Sequence, residues 1–173
     1  SAVIKALLES ARVSNLPTVW TNVLVALAAA GWGWGSEGAG PIRTPFVALV
    51  LLSLFYVGGM LLTDAVDASW DAQHGTRRPI PDGRTSHRTV LAWAVGALLV
   101  GTVVALVATA FDLTVLVTAS VLLAAIVLYN LLHKRSAWTV LLMALCRASV
   151  YAVAAAVAFS AIDDIVERAG TSA

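Results

Sequence analysis

The run LTVLVTASVLLAAIVLYNLL, from Leu113 to Leu132, carries no charged side chain. A chain holding such a stretch has few places to put it. At about 1.5 Å of rise per residue, roughly 20 apolar residues in a helix match a hydrocarbon layer about 30 Å thick. Comparable runs cover approximately 17–34, 44–62, 89–110 and 138–160, so five membrane spans are expected. With hydrophobic residues at 60% and charged ones at 12%, the 173 residues lack the polar surface of a soluble domain. The fold class read here is all-α, a polytopic membrane helix bundle forming one domain over 1–173.

Before the first span, residues 1–16 place apolar side chains at positions 3, 4, 7, 8 and 13 against Lys5, Glu9 and Arg12. That is the pattern of a short amphipathic helix lying on a membrane surface. Pro17 introduces the bundle of 17–160, and 161–173 is expected to be a tail. No short apolar region followed by a small-residue cleavage site opens the chain, so the first span is not read as a removable signal peptide. Cys146 is the one cysteine, which argues against a disulfide framework and a cysteine metal site.

Five crossings would alternate the polar segments between two sides. One side receives Lys5, Arg12, Arg77, Arg78, Arg84, Arg88, Lys134 and Arg135, and the other only Arg43 and Arg168. Because lysine and arginine favour the cytoplasmic side, the N terminus and the 63–88 and 133–137 loops are expected there. The external connections are then the WGWGSEGAGP turn, the Phe111-Asp112 turn and the C-terminal tail. Trp32 and Trp34 are expected in the outer aromatic belt. Gly58-Gly59 is expected to be a close-packing or bending point between helices.

The 63–88 loop concentrates chemistry. Asp64, Asp67 and Asp71 stand at i, i+3 and i+7, which puts three carboxylates on one face if the second span continues by two turns. Such carboxylates repel unless water or a cation screens them. Mg²⁺, which takes one or two carboxylates together with phosphate oxygens, suits the arrangement. Gly75 is a suitable helix C-cap, and beyond it Arg77 and Arg78 have the planar guanidinium groups that pair with phosphate. From spacing alone, a solvated acidic helix end followed by a topology-setting basic loop remains open. His74, His87 and His133 contain no i, i+4 pair of a helical zinc site and are expected as loop residues at an anionic membrane surface.

The pattern Asp64-x-x-Asp67-x-x-x-Asp71, followed by Arg77-Arg78-Pro79-Ile80-Pro81-x-Gly83 and Ser86, resembles the first aspartate-rich motif of the UbiA superfamily of intramembrane prenyltransferases. Arg12-x-x-Asn15 and Asn22 resemble that family's polar positions around its first helix. Tyr129 with Lys134-Arg135 resembles the tyrosine and Lys-Arg pair ending its fourth. The resemblance covers the chain but only the first half of the family pattern, whose second aspartate-rich motif lies farther on. It therefore implies half of a UbiA-like bundle, from a truncated sequence or from a half-enzyme that pairs with a second subunit. Thr63, where asparagine commonly precedes the first aspartate, and His133, an extra residue before Lys134, mark a divergent branch.

The resemblance implies a Mg²⁺-dependent transfer of a prenyl group from an allylic prenyl diphosphate to an aromatic or lipid acceptor. It assigns Asp64, Asp67 and Asp71 to catalysis and the metal, and Arg77, Arg78 and Lys134 to the diphosphate. Tyr129 lines the site by the same resemblance, or is a belt aromatic. Asn22 contacts substrate or bonds between helices. Arg147, deep in the last span, touches substrate or holds helices together. Asp163, Asp164 and Glu167 are not expected to replace the missing motif, since five crossings put them on the opposite side. Prenyl diphosphate, a hydrophobic acceptor and membrane lipid are the expected partners, with no nucleic acid. Competing readings are a noncatalytic scaffold or assembly subunit and an anionic-lipid binding or transport module.

Overall fold

The computed structural model describes residues 2–33, 42–75, 77–133 and 138–171. They form helices α1 (Ala2–Ser10), α2 (Leu16–Ala29), α3 (Arg43–Gln73), α4 (His87–Ala108), α5 (Leu113–Leu132) and α6 (Thr139–Thr171), with a 3₁₀ turn at Val13–Asn15. Four of these, α3 to α6, are long and apolar enough to cross a membrane. Less than half of each such span is buried inside the chain. Phe46, Trp93, Leu99, Val107 and Val140 are among the apolar residues facing outward, which suits helices solvated by lipid on their outer sides. The protein is an integral membrane protein.

The first expected span is shorter than its apolar run. α2 ends at Ala29, and Gly31 follows with φ +88°. With the preceding 3₁₀ turn the apolar helical stretch is Val13–Ala29, below the length of the other four. Trp32 is buried, packing in the core with Val23, Leu27 and Leu51 instead of standing in an interfacial belt. Trp34 and the rest of the glycine-rich turn lie outside the described residues.

The long helices begin and end where the local chemistry directs. Ser86 caps α4 by accepting from Thr89 N at 3.0 Å, and Asp112 caps α5 by accepting from Val115 N at 3.0 Å. Arg43 Nη2 donates to the carbonyl of Ala108 at 2.5 Å, satisfying a terminal acceptor of α4 and tying the start of α3 to the end of α4. No proline or glycine interrupts α6 between Thr139 and Arg168. The helix therefore runs through the expected tail, with Asp163 and Glu167 exposed and the Asp164 side chain outside the described set.

α3 packs along α4, α5 along α6, and α2 against both α3 and α6. α2 runs antiparallel to α3: Tyr56 donates to the Arg12 carbonyl at 3.3 Å, and Trp20 Nε1 to Ser53 Oγ at 3.0 Å. Lipid tails are as apolar as leucine, so close contact and small residues, not water exclusion, hold such helices together. Gly58 meets that need. A Cβ there would sit 2.7 Å from Leu98 Cγ and 3.1 Å from the Ala94 carbonyl, so α3 and α4 approach as only glycine permits. A second cluster, Ala11, Leu61, Ala65, Val90 and Ala94, with Leu7, Val13 and Ile80 against it, seats the segment after α1 on the ends of α3 and α4.

Candidate functional site

The last ten residues of α3, from Asp64, carry the carboxylate row. The chain stays helical here because no breaker intervenes between Gly59 and Gly75. It stops where His74 N donates to the Trp70 carbonyl at 3.1 Å and Gly75 takes φ +64°. The His74 ring stacks on Trp70, centroids 3.8 Å apart.

Asp64 and Asp71 are buried, each 4% exposed, and Asp67 is half-buried. At about 100° per residue, Asp64 and Asp71 lie roughly 20° apart around the helix, with Asp67 about 60° from Asp64. The row divides accordingly. Arg78 takes the aligned pair, with Nη1 2.5 Å from Asp64 Oδ1 and Nε 3.4 Å from Asp71 Oδ2. His133, capping α5, takes the middle one: its Nε2 is 2.9 Å from Asp67 Oδ1.

A turn puts Arg78 in reach. Asp82 N bonds the Arg78 carbonyl at 3.0 Å, Gly83 N bonds Ile80 at 3.0 Å with φ +69°, and Arg84 N returns to Pro79 at 3.0 Å. Pro79 is buried and Ile80 packs on the second core cluster, which anchors the turn through apolar contact. Arg84 then reaches α1, with Nη1 2.6 Å from Glu9 Oε2 and Nη2 2.9 Å from Glu9 Oε1. The hydrogen bond from Arg84 holds the Glu9 carboxyl below its ordinary value, and the same bond raises Arg84.

The structure thus gathers Asp64, Asp67, Asp71, Arg78 and, through its stack on His133 at 5.3 Å, Tyr129 at one end of the bundle. Arg77 is exposed on the turn, and Lys134 lies outside the described residues. Asn22 is half-buried on α2, and its side chain makes no hydrogen bond among the described residues. Arg147 is exposed on α6, with Tyr151 one turn further on the same face. Its depth is about 12 Å from Thr139 by helical rise. Neither Asn22 nor Arg147 bonds to the carboxylate cluster.

His133 departs from expectation. It caps α5 and bonds across to α3 instead of standing free in a loop. A spacing test for helical zinc sites compares histidines within one helix and could not register a partner 66 residues away. Its place four residues after Tyr129, ahead of Lys134, was the available signal.

Among the described residues no three His, Cys, Asp or Glu side chains group closely enough to cage a metal ion. A hard divalent cation sharing one or two carboxylates with phosphate oxygens and water needs no such cage. The donor set fits that mode: its acids are all oxygen ligands, and Asp71 Oδ2, buried beside Arg78 Nε at 3.4 Å, has no hydrogen bond among the described residues.

The sequence profile described as the UbiA prenyltransferase family matches residues 19–168. The chain is similar to digeranylgeranylglyceryl phosphate synthase of Methanopyrus kandleri, with 34% identity over 120 residues, which is 69% of this chain and 42% of that protein. The chain spans less than half the length of that relative. No solved structure gives a significant match.

Proposed function

Since the chain belongs to the UbiA prenyltransferase family, we propose that its charged end binds a prenyl diphosphate with Mg²⁺, and that the adjoining bundle serves transfer of the prenyl group to a hydrophobic acceptor. The observation that carries this reading is the pairing of buried Asp64 and Asp71 with Arg78 from the following turn. It brings acids and a guanidinium of the kind that pairs with phosphate together at the end of a membrane helix. Magnesium, when bound, would neutralise part of the diphosphate charge as the leaving group departs. Asp64, Asp67 and Asp71 would hold it directly or through water.

The arginines would act on the anion itself. Arg78 meets the carboxylates through Nη1 and Nε, and a guanidinium has five N–H donors, so others remain to donate to phosphate oxygen. Arg77 and Lys134 would add positive charge where the C–O bond breaks and electrons pass to the diphosphate. The allylic cation left behind needs a dry wall until the acceptor attacks and loses its proton. Helices solvated by lipid provide one. Among aromatic and lipid acceptors, similarity to the Methanopyrus kandleri protein favours a glyceryl phosphate lipid.

Additional protein, from further helices or a second subunit, would complete the opposite wall. An exposed arginine within a membrane span favours this, because such a residue belongs against a protein or aqueous surface, not lipid. The same exposure supports a second reading, a noncatalytic assembly subunit. The charged end is assigned to the cytoplasm from the eight lysines and arginines of its flanking segments.

One binding experiment tests the reading. Labelled inorganic diphosphate should bind residues 1–173 in a Mg²⁺-dependent way, in inside-out but not right-side-out vesicles. Asp67→Asn should weaken that binding roughly tenfold, the scale of one charge-assisted contact. Little or no diphosphate should be released from a prenyl diphosphate by this polypeptide alone. Binding without magnesium dependence, or equal in the variant, would overturn the assignment, and steady turnover would overturn the need for additional protein.

A further inference from the structure

His133 holds Asp67, the middle carboxylate of the row. A carboxylate oxygen only accepts, so His133 Nε2 carries the proton in its 2.9 Å contact with Asp67 Oδ1. The imidazole is itself fixed. Nδ1 faces the backbone carbonyls of Asn130 at 3.1 Å and Tyr129 at 3.2 Å, oxygens that also only accept, so in this geometry Nδ1–H donates to them as Nε2–H donates to Asp67. The Tyr129 ring stacks on it with the planes 19° apart. The His133 and Asp67 side chains are only 14% and 15% exposed, so water competes little for the bond. A ring anchored on α5 therefore reaches across to α3 and sets one side chain there.

We propose that His133 is a positioning residue for Asp67, setting the direction of that carboxylate and with it the affinity of the row for a divalent cation. This rests on the reading of the row as a metal site. A carboxylate must give up rotamer freedom when it binds an ion. A hydrogen bond from a rigid partner removes the freedom beforehand. Loss of such partners typically costs about 10–100-fold in metal affinity. The bond also ties α3's charged end to the end of α5, so the row is placed by the bundle instead of by its own helix alone.

Mn²⁺, standing in for Mg²⁺ and followed by the spin-resonance signal of the free ion, gives a readout separate from activity. In the detergent-solubilised chain, His133→Ala should weaken Mn²⁺ binding by about tenfold. His133→Gln, which keeps an N–H donor, should recover part of that loss. Thermal midpoints taken in chelator report the fold independently. A merely structural role would lower those midpoints and leave the Mn²⁺ affinity of folded protein unchanged. Should His133→Ala fail to fold, His133→Leu, which keeps bulk against Tyr129, decides the matter by the same criterion. Unchanged or tighter binding in a folded variant lacking the donor overturns the proposal, tighter binding marking His133 as a cation that the metal must displace. Absence of Mn²⁺ binding by the unaltered chain overturns the metal reading and the role of His133 together. Equal binding by the unaltered chain and the variants overturns the role of His133 alone.

Discussion

Between Arg43 and Thr63, α3 meets its neighbours through close backbone approach. Between Asp64 and Gln73 the same helix meets them chiefly through charge, with Ala65 still packing against α4. In the first region Gly58 lets α4 come within a distance that a methyl group would forbid, and Gly101 does the same for the Phe55 ring. In the second, Arg78 from the turn and His133 from α5 supply the contacts. The packed region depends on shape, which ions and pH do not alter. The charged region depends on counter-charge, which a solvent ion can replace. One helix thus carries a fixed anchor and an exchangeable one, and the exchangeable part is where a diphosphate site is proposed.

The largest effect should come from Arg78→Gln, which leaves Asp64 and Asp71 buried without their cation. Breaking such a pair costs about 3 kcal/mol, the low end of the usual range because Arg78 is 29% exposed. The thermal midpoint in detergent with chelator should fall by the corresponding amount, and added Mg²⁺ should restore part of it. No fall in chelator, or no recovery with the ion, breaks the contrast between the regions. Next comes Gly58→Ala, expected to cost about 1–3 kcal/mol by overpacking against Leu98, with no recovery in Mg²⁺. Gly96 on α4 sharpens this case, since a Cβ there meets nothing within 4 Å. Gly96→Ala should be neutral or stabilise by up to about 1 kcal/mol through helix propensity. Equal midpoints for the two alanine variants would remove the packing account.

The smallest effect belongs to the exposed Glu9–Arg84 pair, where solvent and salt screen the charges. Because Arg84 depresses Glu9, the pair's contribution is present above the ordinary carboxyl value of 4.5 and is lost as pH falls through the lower folded value. Hydrogen exchange of the α1 amides should be steady from neutral pH down to about 5 and should then show extra opening on further acidification, after correction for intrinsic rates. Glu9→Gln should remove that pH dependence. An unchanged profile in the variant would assign the opening to another group.

Much of the bundle was legible because its signals are local. The limits of α4 and α5 follow from uncharged runs bounded by Ser86 and Asp112, side chains that cap helices. The charged extension of α3 and its glycine stop were legible in the same way. The first span was read too long because a hydropathy run passes through Gly31, Trp32 and Gly33, whereas the helix ends before them. Trp32 was placed in a belt because composition cannot distinguish an interfacial tryptophan from one folded back into a core. The aspartate spacing located the candidate site, yet its division between Arg78 and His133 needed the turn and α5 in place. Spacing within a helix is a local property, while the His133–Asp67 bond is a product of the bundle.

The brevity of α2 bears on the membrane around it. Fourteen helical residues rise about 21 Å, and the preceding 3₁₀ turn adds about 6 Å, against a hydrocarbon layer of about 30 Å. Trp20, Leu24 and Val25 face outward along this stretch, open to lipid or to further protein. Acyl chains packed beside α2 would have to shorten or splay, at a cost of a fraction of a kcal/mol per Å, while those beside α3 to α6 would keep their full height. Where lipid covers α2, the bilayer would thin on that side alone, a strain relieved where the leaflets are already thin or where another short helix shares the dimple.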